Sequence, residues 1–323
     1  KIDKKGIPSY VGNVETFDFN LGELLEEKQL GKITSELYLK GKGVDIKDLS
    51  EELKGSISYI DFNNYRYRNV KVNGTFEKKF FDGNLKIDDK NVQLDFDGGV
   101  NLNPQLPIFN FKANIKNAKL KALNLYKDSL MVDATFSTNF SGNNLDNIQG
   151  NLSIQKIRLD NVKGIYNVDS VQLTANGLGI SRSLSIKSDI LDASINGQYD
   201  LNTIVSYYKA IAKTYVPSLE TTIIKYNTQI FNFRLNVKRF EPIAELVLPG
   251  LKIEDQALLI GNFDSRNNTA TLNGSVKKVT YKGITANNII IDESTTSDQL
   301  QAIITADRVD LNDSLYIKNV NIS

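Results

Sequence analysis

The sequence predicts an all-β protein: an elongated, curled antiparallel or mixed sheet, a U-shaped trough with an apolar interior, carrying one or two short helical insertions. Three observations predict it. Stretches of alternating apolar and polar residues follow one another from Ile57 to Ile322. One phrase, apolar-Asn-Gly-x-apolar, recurs as VNGTF at 72–76, INGQY at 195–199 and LNGSV at 272–276. Finally, roughly twenty strands at ~4.8 Å spacing would make a sheet on the order of 100 Å long, and an open twisted sheet of that size curls, splits or stacks. Alternation with period two gives each stretch one apolar and one wet face, so the chain has to place a great deal of apolar face somewhere.

The chain reads as one elongated segment over 1–323, in four stretches. Residues 1–54 are mixed. LGELLEEKQLG at 21–31 predicts a short helix with Leu21, Leu24 and Leu25 on one side and Gly31 as its stop; ITSELYLKG at 33–41 predicts a strand, and 44–53 a second short helix. Residues 55–201 predict sheet throughout, through GSISYIDF, YRYRNVKVNGTF, GNLKID and NVQLDFDGGVNL and then 109–115, 131–140, 150–159, 170–175, 184–190 and 193–199. Tyr65 and Tyr67 followed by Val70 and Val72 change phase in mid-strand, which predicts a bulge. In 202–250, Ile204, Val205, Tyr208, Ile211, Ala212 and Tyr215 have helical spacing over 203–216, before Pro217, and 239–251 forms a shorter interruption. Sheet resumes over 251–323. The chain opens at Lys1 without an apolar leader and stops in mid-pattern, so it reads as a length of a longer protein whose anchor lies elsewhere.

Composition excludes several chemistries. The 323 residues contain no His, Cys or Trp, which removes imidazole acid/base work, thiolate nucleophiles, disulfides and the usual zinc ligands. Thirty-nine Lys and Arg against 38 Asp and Glu, scattered along the strands, form no basic stripe for nucleic acid. The carboxylates Asp88, Asp89, Asp95 and Asp97 lack the spacing of a calcium loop, and alternation sets Asp95 and Asp97 on the wet face opposite Leu94 and Phe96. Tyr65, Arg66, Tyr67 and Arg68 interleave aromatics with bases, as single-strand binders do, but read more simply as cross-strand pairs. No residue is assigned to catalysis, to a metal or to a cofactor.

The residues expected to line the trough are Val92, Leu94, Phe96, Phe109, Phe111, Ile115, Val132, Phe136, Phe140, Leu184, Ile186, Ile190, Phe231, Phe233, Leu235, Leu272 and Val276. The competing reading is an ordinary sandwich core. The Asn-Gly phrases fit hairpin turns, and equally a glycine inside a strand at a sharp bend. The helix over 203–216 either gates the trough or packs on its own sheet.

Two long segments carry a family resemblance: FEPIAELVLPGLKI…LLIGNFDSRNNTATLNGSVKKVTYKGITANNIII at 240–291 and GKITSELYLKGKGVDIKDLSEELKGSISYIDFNNYRYRNVKVNGTF at 31–76. With SDILDASINGQYDL and the helix after it (188–212), they resemble the TamB family of envelope proteins in its Bacteroidetes form. TamB proteins belong to the AsmA-like, bridge-like group, whose trough-shaped sheet is called a β-taco. The resemblance implies a periplasmic protein tethered in the inner membrane, carrying phospholipid acyl chains towards the outer membrane and linked to outer-membrane biogenesis. It also implies a translocation and assembly module with an outer-membrane barrel of the TamA type. No membrane anchor and no barrel-contacting end is recognisable in these residues. The expected function is therefore a hydrophobic groove for phospholipid. The alternatives are a scaffold that pairs by strand addition with a barrel and an extracellular sandwich.

Overall fold

Alternation becomes strand wherever the sequence shows it. The computed structural model describes residues 8–323 except 25–26, 44–49, 78, 102–105, 205, 207–208, 210–212, 214–226, 242, 245–247, 249, 268 and 296–298. Eighteen strands lie among the described residues, paired with their sequence neighbours. The all-β, antiparallel, open-sheet class is thus the one the chain adopts. It divides into two compact units, Lys1–Asn143 with Leu152–Asn167, and Asn144–Asn151 with Val168–Ser323.

The first unit is a meander of β1 (Ser9–Asn20), β2 (Leu30–Lys42), β3 (Ser50–Phe62), β4 (Tyr65–Glu77), β5 (Phe80–Asp89), β6 (Val92–Asn101), β7 (Ile108–Lys119) and β8 (Leu130–Ser141). Each pairs antiparallel with the next. The expected first helix is the single turn α1 (Leu21–Leu24). Asn20 caps it: its Oδ1 accepts from the Glu23 N–H at 3.3 Å, a donor the first turn leaves orphaned, and its Nδ2 donates to Glu23 Oε2 at 3.0 Å, which ties the two side chains together. The helix expected over 44–53 fails where it can be seen. Residues 44–49 lie outside the described residues, and Ser50–Leu53 open β3 in register with β2. A helix of so few residues is too short to form on propensity alone, and the ladder to β2 outcompetes it.

Strands β9 (Gln149–Asn161) and β10 (Gly164–Asn176) pair with each other. The second unit continues through β11 (Ser183–Ser188), β12 (Leu191–Gln198), β13 (Ile230–Val237), β14 (Leu251–Asp264), β15 (Thr269–Tyr281), β16 (Ile284–Thr295), β17 (Leu300–Asp310) and β18 (Tyr316–Ile322). These too are antiparallel neighbours. Most of the segment expected to be helical over 203–216 lies outside the described residues; 204, 206, 209 and 213 are helical. Its start is pinned to the sheet by Gln229, which is 1% exposed. That side chain donates to Thr203 Oγ1 at 2.9 Å and accepts from the Asp200 N–H at 3.2 Å, while its own N–H donates to Ser265 Oγ at 2.9 Å. Ile204 packs on the cluster of Ala175, Leu184, Ile195 and Phe231. At its described start the insertion therefore packs on its own sheet.

Two devices bend the strands. The first is a mid-strand residue in the left-handed region: the phase change after Tyr67 is Asn69 at φ 52°, where the register with β3 runs on without the expected bulge, and Asp18, Asn117, Lys156, Asp255, Asn288 and Asn319 repeat the conformation in other strands, with a register shift at Asp18, Asn117 and Asp255. The second is glycine in mid-strand. All three Asn-Gly phrases lie inside strands, β4, β12 and β15, and none is a hairpin turn. In the first unit Gly74, Gly83 and Gly98 face one another across β4, β5 and β6. Gly98 has φ 130°, and a Cβ there would lie 2.4 Å from the Asn110 carbonyl oxygen and 2.7 Å from the Phe111 Cα. Only glycine permits that approach.

Gly98→Ala should therefore cost about 3 kcal/mol, from the clash and the forbidden φ. Gly12→Ala, where nothing lies within 4 Å of the added carbon, should leave stability unchanged or slightly higher. Paired denaturant melts of the two variants check this.

Candidate functional site: the apolar faces

Register decides which side chains share a face. In the first unit Val92, Leu94 and Phe96 of β6, Phe109, Phe111 and Ile115 of β7, and Val132, Phe136 and Phe140 of β8 all fall on one side. Leu94 stands opposite Ile115 and Phe109 opposite Phe140. After the bulge at Asn117, Ala118 stands opposite Val132. Rings meet across the strands: Phe81 to Phe96 at 6.1 Å, Phe96 to Phe111 at 4.9 Å and Phe109 to Phe140 at 4.7 Å between centroids. Phe76 and Phe81 complete this aromatic surface. Alternation along β4 and β5 could have nominated both.

In the second unit one row crosses seven strands: Ala175, Leu184, Ile195, Phe233, Gly261, Leu272 and Glu293 stand opposite one another in turn. Ile186, Leu235, Val276 and Phe231 share the face in neighbouring rows. Ile190 sits apart, in the turn between β11 and β12, where its carbonyl accepts from the Lys238 and Arg239 N–H groups.

Burial separates the seventeen expected lining residues into two kinds. Val92, Leu184, Ile190 and Phe231 are buried. Val92 lies in a small core with Ala118 and Leu123, and Leu184 and Phe231 lie in the core at the start of the 203–216 segment. The remainder are half-buried. The composition of the cores explains this. Each of the four buried clusters combines neighbouring strands of one face with a local cap: Leu21, Leu123, Ile204, or Phe240 with Ala244. No cluster among the described residues joins two stacked sheets, as a sandwich core would.

The opposite face is polar and ionic. A cleft of about 700 Å³ in the first unit is lined by Lys54, Lys71, Lys86, Lys112, Asp95 and Asp97 together with Val72, Leu85 and Phe96. Lys86 reaches Asp95 at 3.3 Å with both side chains exposed, an ion pair worth under ~1 kcal/mol. Asp61 and Arg66 form a cross-strand pair, Nε to Oδ1 2.7 Å, with the guanidinium 3.8 Å from the centroid of Tyr59. That accounts for part of the Tyr-Arg interleaving. Asp89 is not on the wet face: it is buried in the β5–β6 hairpin, accepting from the Arg68 N–H at 3.1 Å and the Asn91 N–H at 2.9 Å. It also accepts from Tyr65, whose hydroxyl is pushed up to about 12, mainly by burial and then by this carboxylate.

Glu293 is the site residue that the sequence concealed. The unbroken run Ile289, Ile290, Ile291 hides the phase of β16, and only pairing with Leu272 on one side and Ala302 on the other shows that Glu293 points with the apolar residues. It is half-buried and makes no hydrogen bond or ion pair with any described residue. Burial raises its carboxyl above the usual range.

Comparison with protein-family models, with curated proteins and with solved structures finds no match. Among the described residues no helix is long and apolar enough to cross a membrane, and no group of three or more acidic residues is placed to hold a metal ion.

A carboxyl whose pKa is higher in the folded than in the unfolded state binds more protons when folded, so it lowers stability as pH rises through that range. Glu293→Gln should therefore stabilise the chain at pH 8, and the gain should disappear as pH falls towards 4. Thermal melts of both proteins across that interval measure it.

Proposed function

We propose that the two apolar faces carry phospholipid acyl chains, in a periplasmic, bridge-like protein that links inner and outer membranes and serves outer-membrane biogenesis. The reading rests on one observation above others: large apolar faces, half-buried, with no second layer over them among the described residues. An uncovered apolar surface of this kind calls for an apolar guest. The resemblance to the TamB family names the guest and the compartment. Transfer energy does the binding. At ~0.8 kcal/mol per CH₂, an acyl chain gains on the order of 10 kcal/mol gross on leaving water. Neighbouring rows offer similar contact, so a chain moves among them at little cost. The anchor of such a protein, and its outer-membrane barrel partner, are parts of the same proposal.

Photo-reactive residues at Phe111 or Ile186, in protein purified from a lipid-containing host, should crosslink to phospholipid. Phe111→Asp or Leu235→Lys should abolish lipid capture by the face concerned, at least tenfold, while Asp95→Lys on the wet face should not. Equal effects on both faces, or no lipid at all, would contradict the proposal.

A further inference from the structure

Glu293 is a lone charge near one end of an apolar row, with Ala302 of β17 beyond it. From Leu184 the row runs through Ile195, Phe233, Gly261 and Leu272 to Glu293. Gly261 adds no side chain of its own, and the Phe233 ring fills the space where its Cβ would stand. Around the carboxyl, the positions on the same face are Ala270, Leu272 and Gly274 of β15, Ala302 and Ile304 of β17, and Ile291 and Thr295 of β16 itself. None is charged or titratable. Thr295 is occupied, its hydroxyl accepting from the Ala270 N–H and donating to the Ala270 carbonyl. A carboxylate so placed is partly stripped of water and has no partner among the described residues, and such a group attracts a cation.

We propose that Glu293 is the headgroup site of the second unit, selecting lipids whose headgroup ends in a primary ammonium and disfavouring anionic lipids. The inference rests on the acyl-chain reading of this face. The dimensions suit it. Leu184 and Ile195 are closed over at the Ile204 cap, so the open part of the row runs from Phe233 on β13 to Glu293 on β16, three strand spacings or about 14 Å. A headgroup takes up roughly 6 Å of that length, so a lipid whose amine meets the carboxylate lays the first part of its acyl chain over Leu272 and Phe233. The ammonium supplies the missing counter-charge. A phosphodiester ending in neutral glycerol offers only its negative charge, which the carboxylate repels.

The 323-residue chain is incubated with vesicles of equal phosphatidylethanolamine and phosphatidylglycerol, re-isolated, and its bound lipid is quantified by mass spectrometry. At pH 8 the wild type should enrich phosphatidylethanolamine about three- to tenfold over the vesicle ratio. The enrichment should fade as pH is lowered and the carboxyl takes up a proton. Glu293→Gln should bring the ratio close to that of the vesicles, and Glu293→Lys should reverse it; circular dichroism establishes that both variants are folded. Bound lipid at the vesicle ratio in the wild type, or an enrichment that Glu293→Gln leaves intact, overturns the headgroup site while the acyl-chain reading stands. A wild type that captures no lipid overturns the acyl-chain reading, and the headgroup site with it.

Discussion

An antiparallel meander satisfies the backbone of every interior strand without help from any other layer, and that is what the rest of this protein depends on. Ladder hydrogen bonds run between sequence neighbours, so the sheet extends strand by strand from local pairings. Nothing in that scheme covers the sheet's faces. One face is ionic and needs no cover. The other carries Phe81, Phe96, Phe111 and Phe140 in the first unit and Phe233, Leu235 and Leu272 in the second, and receives only local caps at Leu21, Leu123, Ile204 and Phe240. Apolar burial within the chain is therefore incomplete, and the surface left over is where function is to be sought.

Local chemistry then shapes what pairing has built. Asn and Asp are the commonest residues at the mid-strand left-handed positions because their short polar side chains tolerate that conformation. The glycine row of Gly74, Gly83 and Gly98 lets three strands approach where no Cβ fits, and it leaves the apolar face without side chains along that line, between Phe81 on one side and Phe96 on the other. The same substitution to glycine thus removes bulk inside the face and permits its bend.

Much of this was legible in the residues, because period two is a direct consequence of strand geometry and survives any arrangement of the strands. The alternation at Leu94 and Phe96, or at Phe109 and Phe111, named the face correctly without reference to any pairing partner. Where it failed, it failed for physical reasons. The stretch 44–53 read as a short helix, but a helix of that length has too little propensity of its own to oppose a neighbouring strand's ladder, and 50–53 open β3. Val92 and Leu184 alternate like true lining residues, but caps close over them, and a cap at 119–126 or 203–204 leaves no periodic trace at the positions it covers. Asp89 stood beside Asp88 as one of two clustered carboxylates that alternation assigned to no face, and its burial follows from hairpin geometry. Glu293 was invisible since three consecutive isoleucines erase the phase that would have placed it. Its charge is the basis of the headgroup site proposed above.

The central claim is that the apolar faces, and not the ionic ones, meet lipid chains. The protein has no tryptophan of its own, so a single one can report on either face. Phe233→Trp and Asn232→Trp place the indole on opposite sides of adjacent positions in β13. With phospholipid brominated along its acyl chains, fluorescence should be quenched strongly at position 233 and hardly at all at 232. Equal quenching at the two positions, or none at 233, would contradict it.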